Sequence, residues 1–352
     1  MSETLKIFVG GVPVGGGAPV SVQTMTNTDT KDAEATANQI LLCEKYGLDI
    51  VRCAINDEAD AKALKAIKKR IHVPVVADIQ YDYSLAMWAL ENGADCIRIN
   101  PGNMKSKEDL KKLVSALKSV NVPIRIGVNS GSIATEVIDR FGGVNAKSLV
   151  SSAITETETL EDLDFRNFKV AIKSSNIKTC VESYREYSRL KNYPLHLGVT
   201  EAGPYEEGSI KSAIGIGTLL LEGIGDTIRV SLTDEPYKEV IAGNYILKSL
   251  GLNKRGINLI SCPTCARTNG DMISMVKDFK AREPKIKGKM SVAIMGCHVN
   301  GPGEAREADI GLALNKNGGI IFKKGKILEE VTRQDAISTL IERITEIDNE
   351  HN

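Results

Sequence analysis

The feature that most constrains the fold is a strand–helix alternation that repeats about eight times between residues 20 and 250. Each unit opens with a short run rich in Val, Ile and Leu and continues with an amphipathic stretch of helical length. Nearly continuous apolar runs of this kind are typical of parallel strands buried on both faces. Eight such units over about 250 residues favour closure of the sheet into an α/β (β/α)8 TIM-type barrel. The predicted strands are Val20–Thr24, Asp49–Ala54, Pro74–Asp78, Cys96–Asn100, Pro123–Val128, Phe168–Lys173, Leu195–Thr200 and Thr227–Ser231.

The segments between these strands predict helices with recognisable starts. Asp32, Asp57 and Ser106 stand where an N-cap side chain is expected. The interval from Asn129 to Asn167 is too long for one crossover, so we expect an elongated loop plus one or two helices there. The glycines at 10–11 and 15–17 predict turns of a small hairpin that plugs the barrel bottom. The predicted helices include Ala33–Tyr46, Glu58–Arg70, Lys107–Ser119 and Val181–Leu190.

The pattern changes after Leu250, and Gly251–Gly256 is a plausible linker. We therefore predict two domains, a barrel over residues 1–252 and a smaller α+β domain over residues 257–352. The second domain should close with a helix near Thr332–Ile347. Its predicted strands are Asn258–Ser261, Ser291–Met295, Ile310–Ala313 and Gly319–Phe322.

Charge and cysteine usage limit the function classes. Lys plus Arg and Asp plus Glu both total 45, which gives no reason to expect nucleic acid or a membrane as a partner. No run approaches the ~18 apolar residues of a membrane span, and no signal peptide is recognisable. We expect a cytoplasmic protein whose seven cysteines serve as metal ligands, reactive groups or buried core thiols rather than disulfides. Those assigned to the core are Cys43, Cys53, Cys96 and Cys180.

Basic residues recur where the barrel strands end. Substrate groups of barrel enzymes lie at the carboxyl ends of the strands, and burying several cations together is costly unless an anion joins them. The pattern therefore predicts a phosphate or diphosphate site; the alternative is that each Arg pairs with a nearby carboxylate. The five bases are Arg52, Arg98, Arg125, Lys173 and Arg229, and the polar groups that accompany them are Asp78, Asn129, His196, Glu201 and Ser231.

Three cysteines of the second domain form a candidate metal centre. Cys262 and Cys265 are separated by two residues, and Cys297 follows after 31 more, beside His298. Structural zinc sites use four Cys or His ligands, so zinc with His298 as the fourth ligand is a real alternative. A 4Fe–4S cluster on three thiolates fits better. The residues alone thus also allow a zinc-stabilised barrel aldolase or isomerase of a phosphorylated sugar, or a non-catalytic iron–sulfur redox protein.

The cysteine motifs and several barrel segments carry a resemblance to a known family. The motifs are Cys-Pro-Thr-Cys-Ala-Arg at 262–267 and Gly-Cys-His-Val-Asn-Gly-Pro-Gly-Glu at 296–304. With segments 22–28, 96–103, 195–203 and 222–232, they resemble the 4-hydroxy-3-methylbut-2-en-1-yl diphosphate synthase family of the non-mevalonate isoprenoid route. The resemblance covers nearly the whole chain and is to the two-domain bacterial form.

This resemblance implies an oxidoreductase that opens and dehydroxylates 2-C-methyl-D-erythritol 2,4-cyclodiphosphate to 4-hydroxy-3-methylbut-2-enyl diphosphate. Electrons would come from reduced flavodoxin or ferredoxin. It further implies a homodimer in which the barrel of one chain faces the cluster domain of the other.

The resemblance also assigns roles to single residues. Cys262, Cys265 and Cys297 match the thiolates of a 4Fe–4S cluster, and Glu304 matches a carboxylate ligand of its fourth iron. A carboxylate after Gly-Pro-Gly also suits a helix N-terminus. Glu201 matches a proposed proton donor, and Asn300 matches a residue beside the cluster that faces substrate. Residues that match substrate contacts are Arg52, Arg98, Arg125, Asn129, Lys173, Arg229 and Ser231. We add Asp78 and His196 to the candidate substrate contacts because they lie at predicted strand ends.

Overall fold

The structure, a computed structural model, describes residues 3–80, 82–100, 106–253, 255–297, 303 and 305–350. The chain divides into two compact units, residues 1–252 and 253–352. Each unit has its own sheet and its own apolar core.

Parallel strands form a ring in the first unit. Eight strands follow one another around it in chain order, and the last (Thr227–Ile228) pairs with the first (Ser21–Met25). A parallel bridge between Val170 and Leu195 joins the sixth strand to the seventh and completes the ring, which confirms the predicted barrel. The strands of this unit are β1 (Ile7–Val9), β2 (Val12–Val14), β3 (Ser21–Met25), β4 (Ile50–Ala54), β5 (Val75–Asp78), β6 (Cys96–Ile99), β7 (Ile124–Asn129), β8 (Phe168–Lys173), β9 (His196–Leu197) and β10 (Thr227–Ile228).

Helices surround the ring and begin where the sequence predicts caps. The side chains of Asp32, Asp57 and Ser106 each accept a hydrogen bond from a backbone N–H of the first helical turn. The long interval after β7 contains one 3-10 turn (Ser130–Ser132) and two helices, in agreement with the expected loop and helices. The helices are α1 (Ala33–Lys45), α2 (Glu58–Lys68), α3 (Tyr83–Glu91), α4 (Lys107–Val120), α5 (Thr135–Phe141), α6 (Ala146–Glu161), α7 (Ile177–Leu190), α8 (Tyr205–Leu221) and α9 (Pro236–Ser249).

The alternation along each strand separates two environments. One set of side chains faces the helices and forms the main apolar core, and the other set points into the barrel. At the bottom of the barrel, the antiparallel hairpin of β1 and β2 closes the opening, as its glycines predict; Gly10 has a φ of 54° in the turn. The hairpin and the starts of three barrel strands share one apolar cluster, which contains Ile7, Val9, Val14, Ile50, Val76 and Cys96.

A mixed five-stranded sheet organises the second unit. Its first three strands are parallel and the last two are antiparallel. The helices Met272–Ala281 and Ala336–Glu350 pack on one face of the sheet, where Phe279 and Leu340 join its core. The elements are β11 (Gly256–Ser261), α10 (Met272–Ala281), β12 (Lys289–Met295), β13 (Ile310–Leu314), β14 (Gly318–Lys323), β15 (Lys326–Thr332) and α11 (Ala336–Glu350).

Two elements of this unit were absent from the sequence prediction. The strand β15 is at the edge of the sheet, and most of its side chains are exposed, so it has no apolar run. The helix α10 buries only Met272 and Phe279, which is too few to show a helical period. None of the helices within the described ranges is long and apolar enough to span a bilayer.

Candidate active site

The five predicted cations all point into the barrel, and we call this group the cationic mouth: Arg52, Arg98, Arg125, Lys173 and Arg229. Arg52 and Arg98 lie within β4 and β6, and Lys173 is the last residue of β8. Arg125 is the second residue of β7, so it starts deeper in the barrel than a strand-end position. Its guanidinium nevertheless rises beside that of Arg98, because both lie over Gly127.

One carboxylate joins two of these cations. Asp78, the last residue of β5, accepts a hydrogen bond from Arg98 at 3.1 Å and lies 3.6 Å from Nε of Arg52. Burial alone raises the pKa of Asp78, but the guanidiniums of Arg52 and Arg98 hold it below its ordinary value. Burial lowers the pKa of Arg52 to about 10, although Asp78 opposes that shift. Asp78 is therefore a fixed anion within the mouth.

A second carboxylate was not predicted from the sequence. Glu239 on α9 contacts Arg229 with both carboxylate oxygens, at 3.1 and 3.2 Å. It also accepts bonds from the Thr24 hydroxyl at 2.6 Å and from the Leu232 backbone N–H at 3.0 Å. Because Glu239 is on a helix, a reading of strand ends misses it. The available signal was an acid on the buried face of α9, next to Val240.

Arg125 is the most constrained cation. It is 3% exposed, and within the described part of the chain it forms no ion pair. Burial, and then repulsion by Arg52 and Arg98, lower its pKa well below the usual value. A Cβ on Gly127 would come within 2.8 Å of Arg125 and 2.9 Å of Arg98. Glycine at this position thus leaves room for two guanidiniums to lie side by side.

Lys173 occupies a similar niche on the other side of the barrel. A Cβ on Gly198 would come within 3.0 Å of its ammonium, so this second glycine gives Lys173 its space. Burial, and then the charges of Arg125 and Arg229, lower the pKa of Lys173 well below the usual value. A bound anion would offset the part of each pKa shift that comes from repulsion between neighbouring cations.

Charge counting therefore favours an anionic ligand. The expectation that each Arg pairs with a carboxylate is right for Arg52, Arg98 and Arg229. Among the described residues, the five cations nevertheless pair with only two carboxylates, Asp78 and Glu239, which leaves a formal excess of three positive charges. Guanidinium groups match phosphate oxygens in pairs. The mouth can hold a diphosphate without further counter-ions.

The remaining predicted barrel residues surround or underlie the mouth. Asn129 ends β7 and pairs in register with Lys173, and Ser231 lies two residues beyond Arg229. Glu201 is exposed and has a φ of 53°, an uncommon backbone conformation for this residue type that often marks functional sites. His196 is different, because it is fully buried below Lys173.

Two predicted cluster cysteines lie at neighbouring strand ends in the second unit. Cys262 follows β11, Cys297 follows β12 after one glycine, and these strands are adjacent and parallel. The Gly296 N–H donates to Sγ of Cys262 at 3.0 Å. Asn269 donates its backbone N–H to the Gly296 carbonyl at 2.7 Å, which ties the Cys265 loop to the same place.

Cys265 lies in the turn that this loop forms. Its thiol is exposed, and the Thr268 hydroxyl lies 3.9 Å from its sulfur. Hydrogen bonds from the Arg267 backbone and then from Thr268 lower the pKa of Cys265. Bonds from N–H groups to sulfur favour the thiolate form, which is the form that ligates metals. All seven cysteines are free, and the four assigned to the core are buried as expected.

The donor set is compatible with an iron–sulfur cluster. Across the described residues, no three Cys, His, Asp or Glu side chains converge closely enough to hold a single metal ion. In a 4Fe–4S cluster each thiolate binds its own iron, so the sulfurs do not have to converge on one point. The predicted residues His298, Asn300 and Glu304 lie outside the described residues.

Fold and site together define a two-domain chain, in which a parallel barrel carries buried cations and a second unit carries neighbouring cysteines. The chain belongs to the GcpE family, which confirms the resemblance seen in the motifs. The profile described as GcpE TIM-barrel domain matches residues 4–244. The profile described as GcpE protein C-terminal domain matches residues 258–346.

Curated relatives match along the whole chain. A protein of Clostridium perfringens is 53% identical over 98% of this chain and 99% of its own length. One of Clostridium acetobutylicum is 51% identical over 99% of both chains. Each carries the name 4-hydroxy-3-methylbut-2-en-1-yl diphosphate synthase (flavodoxin).

Solved structures with a similar fold support the barrel. Dihydropteroate synthase of Stenotrophomonas maltophilia has a TM-score of 0.52 at 13% identity, over 70% of this chain and 97% of its own. The Yersinia pestis dihydropteroate synthase has a TM-score of 0.51 at 12% identity, over 70% and 99%. At this identity the likeness concerns the fold alone.

Proposed function

We propose that this chain converts 2-C-methyl-D-erythritol 2,4-cyclodiphosphate to 4-hydroxy-3-methylbut-2-en-1-yl diphosphate. The product is the one in the name that the relatives carry, and the relatives do not support the aldolase, isomerase or redox-carrier alternatives. The reaction consumes two electrons and one proton. The ring C–O bond breaks with its electron pair going to the diphosphate, the neighbouring hydroxyl leaves as water, and a carbon–carbon double bond forms.

The observation that carries this proposal is the cationic mouth, with its excess of three positive charges. Arg52, Arg98 and Arg229 are held by carboxylates and can present their remaining N–H groups to phosphate oxygens. Arg125 and Lys173 have no ion pair within the described residues and gain most from an anion. The barrel thus fixes the diphosphate and orients the carbon skeleton, with Asn129 and Ser231 at its edge.

A second task of the barrel residues is to deliver the proton that the reaction consumes. Glu201 follows β9 at the rim of the barrel and is open to solvent. From there it can protonate the departing hydroxyl and recover a proton from water. Its unusual φ of 53° fits a residue that the surrounding loop holds in one orientation.

Cys262, Cys265 and Cys297 would hold a 4Fe–4S cluster, with Glu304 as the proposed fourth ligand. The cluster would supply electrons one at a time. The role of the protein is to hold these thiols in place: the Gly296 N–H donates to Sγ of Cys262, and the bonds that lower the pKa of Cys265 favour its thiolate.

The partners follow from the same proposal. Reduced flavodoxin, which appears in the names of the relatives, is the proposed donor, with ferredoxin as the substitute. We also propose a cytoplasmic homodimer in which the barrel of one chain serves the cluster domain of the other. Light scattering of the purified protein tests this assembly.

A turnover experiment tests the function. The protein is purified without oxygen, and the cyclic diphosphate is supplied with reduced flavodoxin. We expect the product with wild-type protein and a strong loss with Arg125→Met, which keeps an unbranched apolar stem but removes the charged guanidinium. Arg140→Met, a change on α5 away from the barrel interior, is the matched control. Equal loss in both variants, or no product with an intact cluster, contradicts the proposal.

A further inference from the structure

Below the cationic mouth, the barrel interior contains a belt of polar side chains that the proposed mechanism leaves unused or only partly used. Its members are Ser21 on β3, Lys169 on β8, His196 on β9 and Thr227 on β10. All four are 0% exposed. Apolar side chains around the hairpin of β1 and β2 lie beneath this belt.

Strand pairing places these residues together. Thr227 pairs with Ser21 on one side and with His196 on the other. The bridge between Val170 and Leu195 puts the residues next to it, Lys169 and His196, on adjoining strands. Lys169 and Lys173 lie on the same face of β8, four residues or about 13 Å apart along the strand. Lys169 therefore lies deeper in the barrel than Lys173, and its backbone is level in strand register with that of Arg125.

The side chains of this belt are polar, but several of their donor and acceptor atoms lack a hydrogen-bond partner in the described part of the chain. Within the described residues, Nζ of Lys169, both ring nitrogens of His196 and the hydroxyls of Ser21 and Thr227 have no hydrogen-bond partner. A buried ammonium without a counter-ion is much more costly than a neutral amine. The state of Lys169 therefore depends on the charges around it.

The neighbours of Lys169 are mostly cationic. Its own strand carries Lys173, β7 carries Arg125, β4 carries Arg52, and β9 carries the buried His196. The opposing groups are the Cys96 thiol on β6 and the Asp226 carboxylate before β10. Asp226 is already bonded to Thr4 and to the Leu195 backbone. Burial lowers the pKa of Lys169 to about 8, Cys96 opposes the shift, and Arg125 adds to it.

We propose that Lys169 is a buried proton acceptor that becomes charged when a diphosphate binds at the cationic mouth. The inference rests on the anion-binding role given to the mouth under the proposed function. The bound anion cancels the field of Arg125 and Arg52 at the amine, and the amine then takes a proton from the solvent. This coupling is reciprocal. The free energy by which the bound anion favours protonation of Lys169 equals the free energy by which protonation of Lys169 strengthens anion binding.

Lys169 thereby adjusts the charge of the barrel to its ligand. Without the ligand, the deprotonated fraction of the amine adds nothing to the repulsion among the five cations. With the ligand, the belt supplies one more positive charge below the diphosphate. Anion affinity should therefore fall as the pH rises through the titration of Lys169.

Calorimetry with inorganic pyrophosphate tests the proposal. Binding is measured near pH 8 in two buffers of different ionisation enthalpy, and the difference in heat gives the protons exchanged per bound anion. The pyrophosphate itself also exchanges protons, so the readout is the difference between wild type and Lys169→Met. Lys178→Met is the control, because Lys178 is an exposed lysine on α7 with a side-chain exposure of 85%.

Wild type and Lys178→Met should take up about half a proton more than Lys169→Met, because an amine with a pKa of about 8 is half deprotonated at that pH. Lys169→Gln should behave like Lys169→Met, and it replaces that variant if the latter does not fold. Equal uptake in all variants overturns the role of Lys169 and leaves the anion site intact. Absence of pyrophosphate binding by wild type overturns both, because the mouth itself then fails.

Discussion

Glu239 holds Arg229 with both of its carboxylate oxygens, at 3.1 and 3.2 Å, from a helix on the outside of the barrel. The same carboxylate accepts bonds from Thr24 and from the Leu232 backbone. It therefore links β3, α9 and the loop after β10. We infer that Glu239 is a positioning residue, which orients one arginine of the mouth without needing to touch the ligand.

Replacing Glu239 with Gln tests this role. The amide keeps the size of the side chain but loses the charge-assisted pair, which is worth about 1.5–3 kcal/mol. We expect pyrophosphate affinity to fall about 10-fold to 100-fold, with the iron content unchanged, because the loss of a fixed Arg229 outweighs the one positive charge that the substitution adds to the excess. Glu235→Gln, an exposed residue that precedes the same helix, should bind as wild type does. Unchanged affinity in Glu239→Gln contradicts the inference.

Glu201 should contribute to turnover rather than to anion binding. Its exposed position after β9 is at the rim, whereas the cations lie inside. Glu201→Gln should lower kcat by about 10²-fold to 10⁴-fold, the usual contribution of a general acid. Pyrophosphate affinity should stay constant, and Glu206→Gln on α8 is the control. A loss of affinity without a loss of kcat would assign Glu201 to binding instead.

His196 should make the free protein sensitive to acid. Burial, and then the charge of Lys173, lower its pKa well below 6.5. Below pH 6.5 the unfolded chain binds a proton at this position and the folded chain does not, so stability falls as the pH falls. When the pH is lowered from about 7 to about 5, the free energy of unfolding should fall by about 1–2 kcal/mol less in His196→Leu than in wild type.

Denaturant titrations at both pH values measure this difference. The control is His72→Leu, which removes a histidine whose side chain is 81% exposed and contacts Glu44 at 2.8 Å, so an effect confined to His196→Leu is assigned to the buried site. An equal slope in His196→Leu and wild type would mean that other groups cause the loss of stability.

Cys297 should be required for the cluster. Cys297→Ser replaces one of the three proposed thiolates, so we expect loss of the broad absorption near ~400 nm and of about four irons per chain. Cys43→Ala is the control, because Cys43 lies in the barrel core. Full iron content in Cys297→Ser contradicts the ligand assignment, and zinc in wild type would favour the zinc alternative.

The barrel was predictable because its signal is repeated. Eight apolar runs alternate with amphipathic segments, and caps such as Asp57 and Ser106 mark the helix starts. Strands β9 and β10 are each two residues long, shorter than predicted. The apolar runs there extend beyond the regular ladder, because the chain turns into the loops that carry Glu201 and Ser231.

The cationic mouth was only partly predictable. Buried bases in apolar runs indicated the cations, since this pattern is unusual in a strand. The partner of Arg229 could not be found in the same way, because Glu239 is ten residues away on a helix. Lys169 carried a signal, since it shares a strand face with Lys173, but a search confined to strand ends passes over it.

We propose that the cationic mouth and the three cysteines serve one reaction on one small molecule. The most direct test is a single turnover of anaerobic protein that has been reduced chemically, with flavodoxin left out. We expect the cyclic diphosphate to become 4-hydroxy-3-methylbut-2-en-1-yl diphosphate, at up to about one molecule per chain for two electrons supplied. The proposal fails if the cyclic diphosphate is recovered intact from protein that has its full iron content, is fully reduced and binds pyrophosphate.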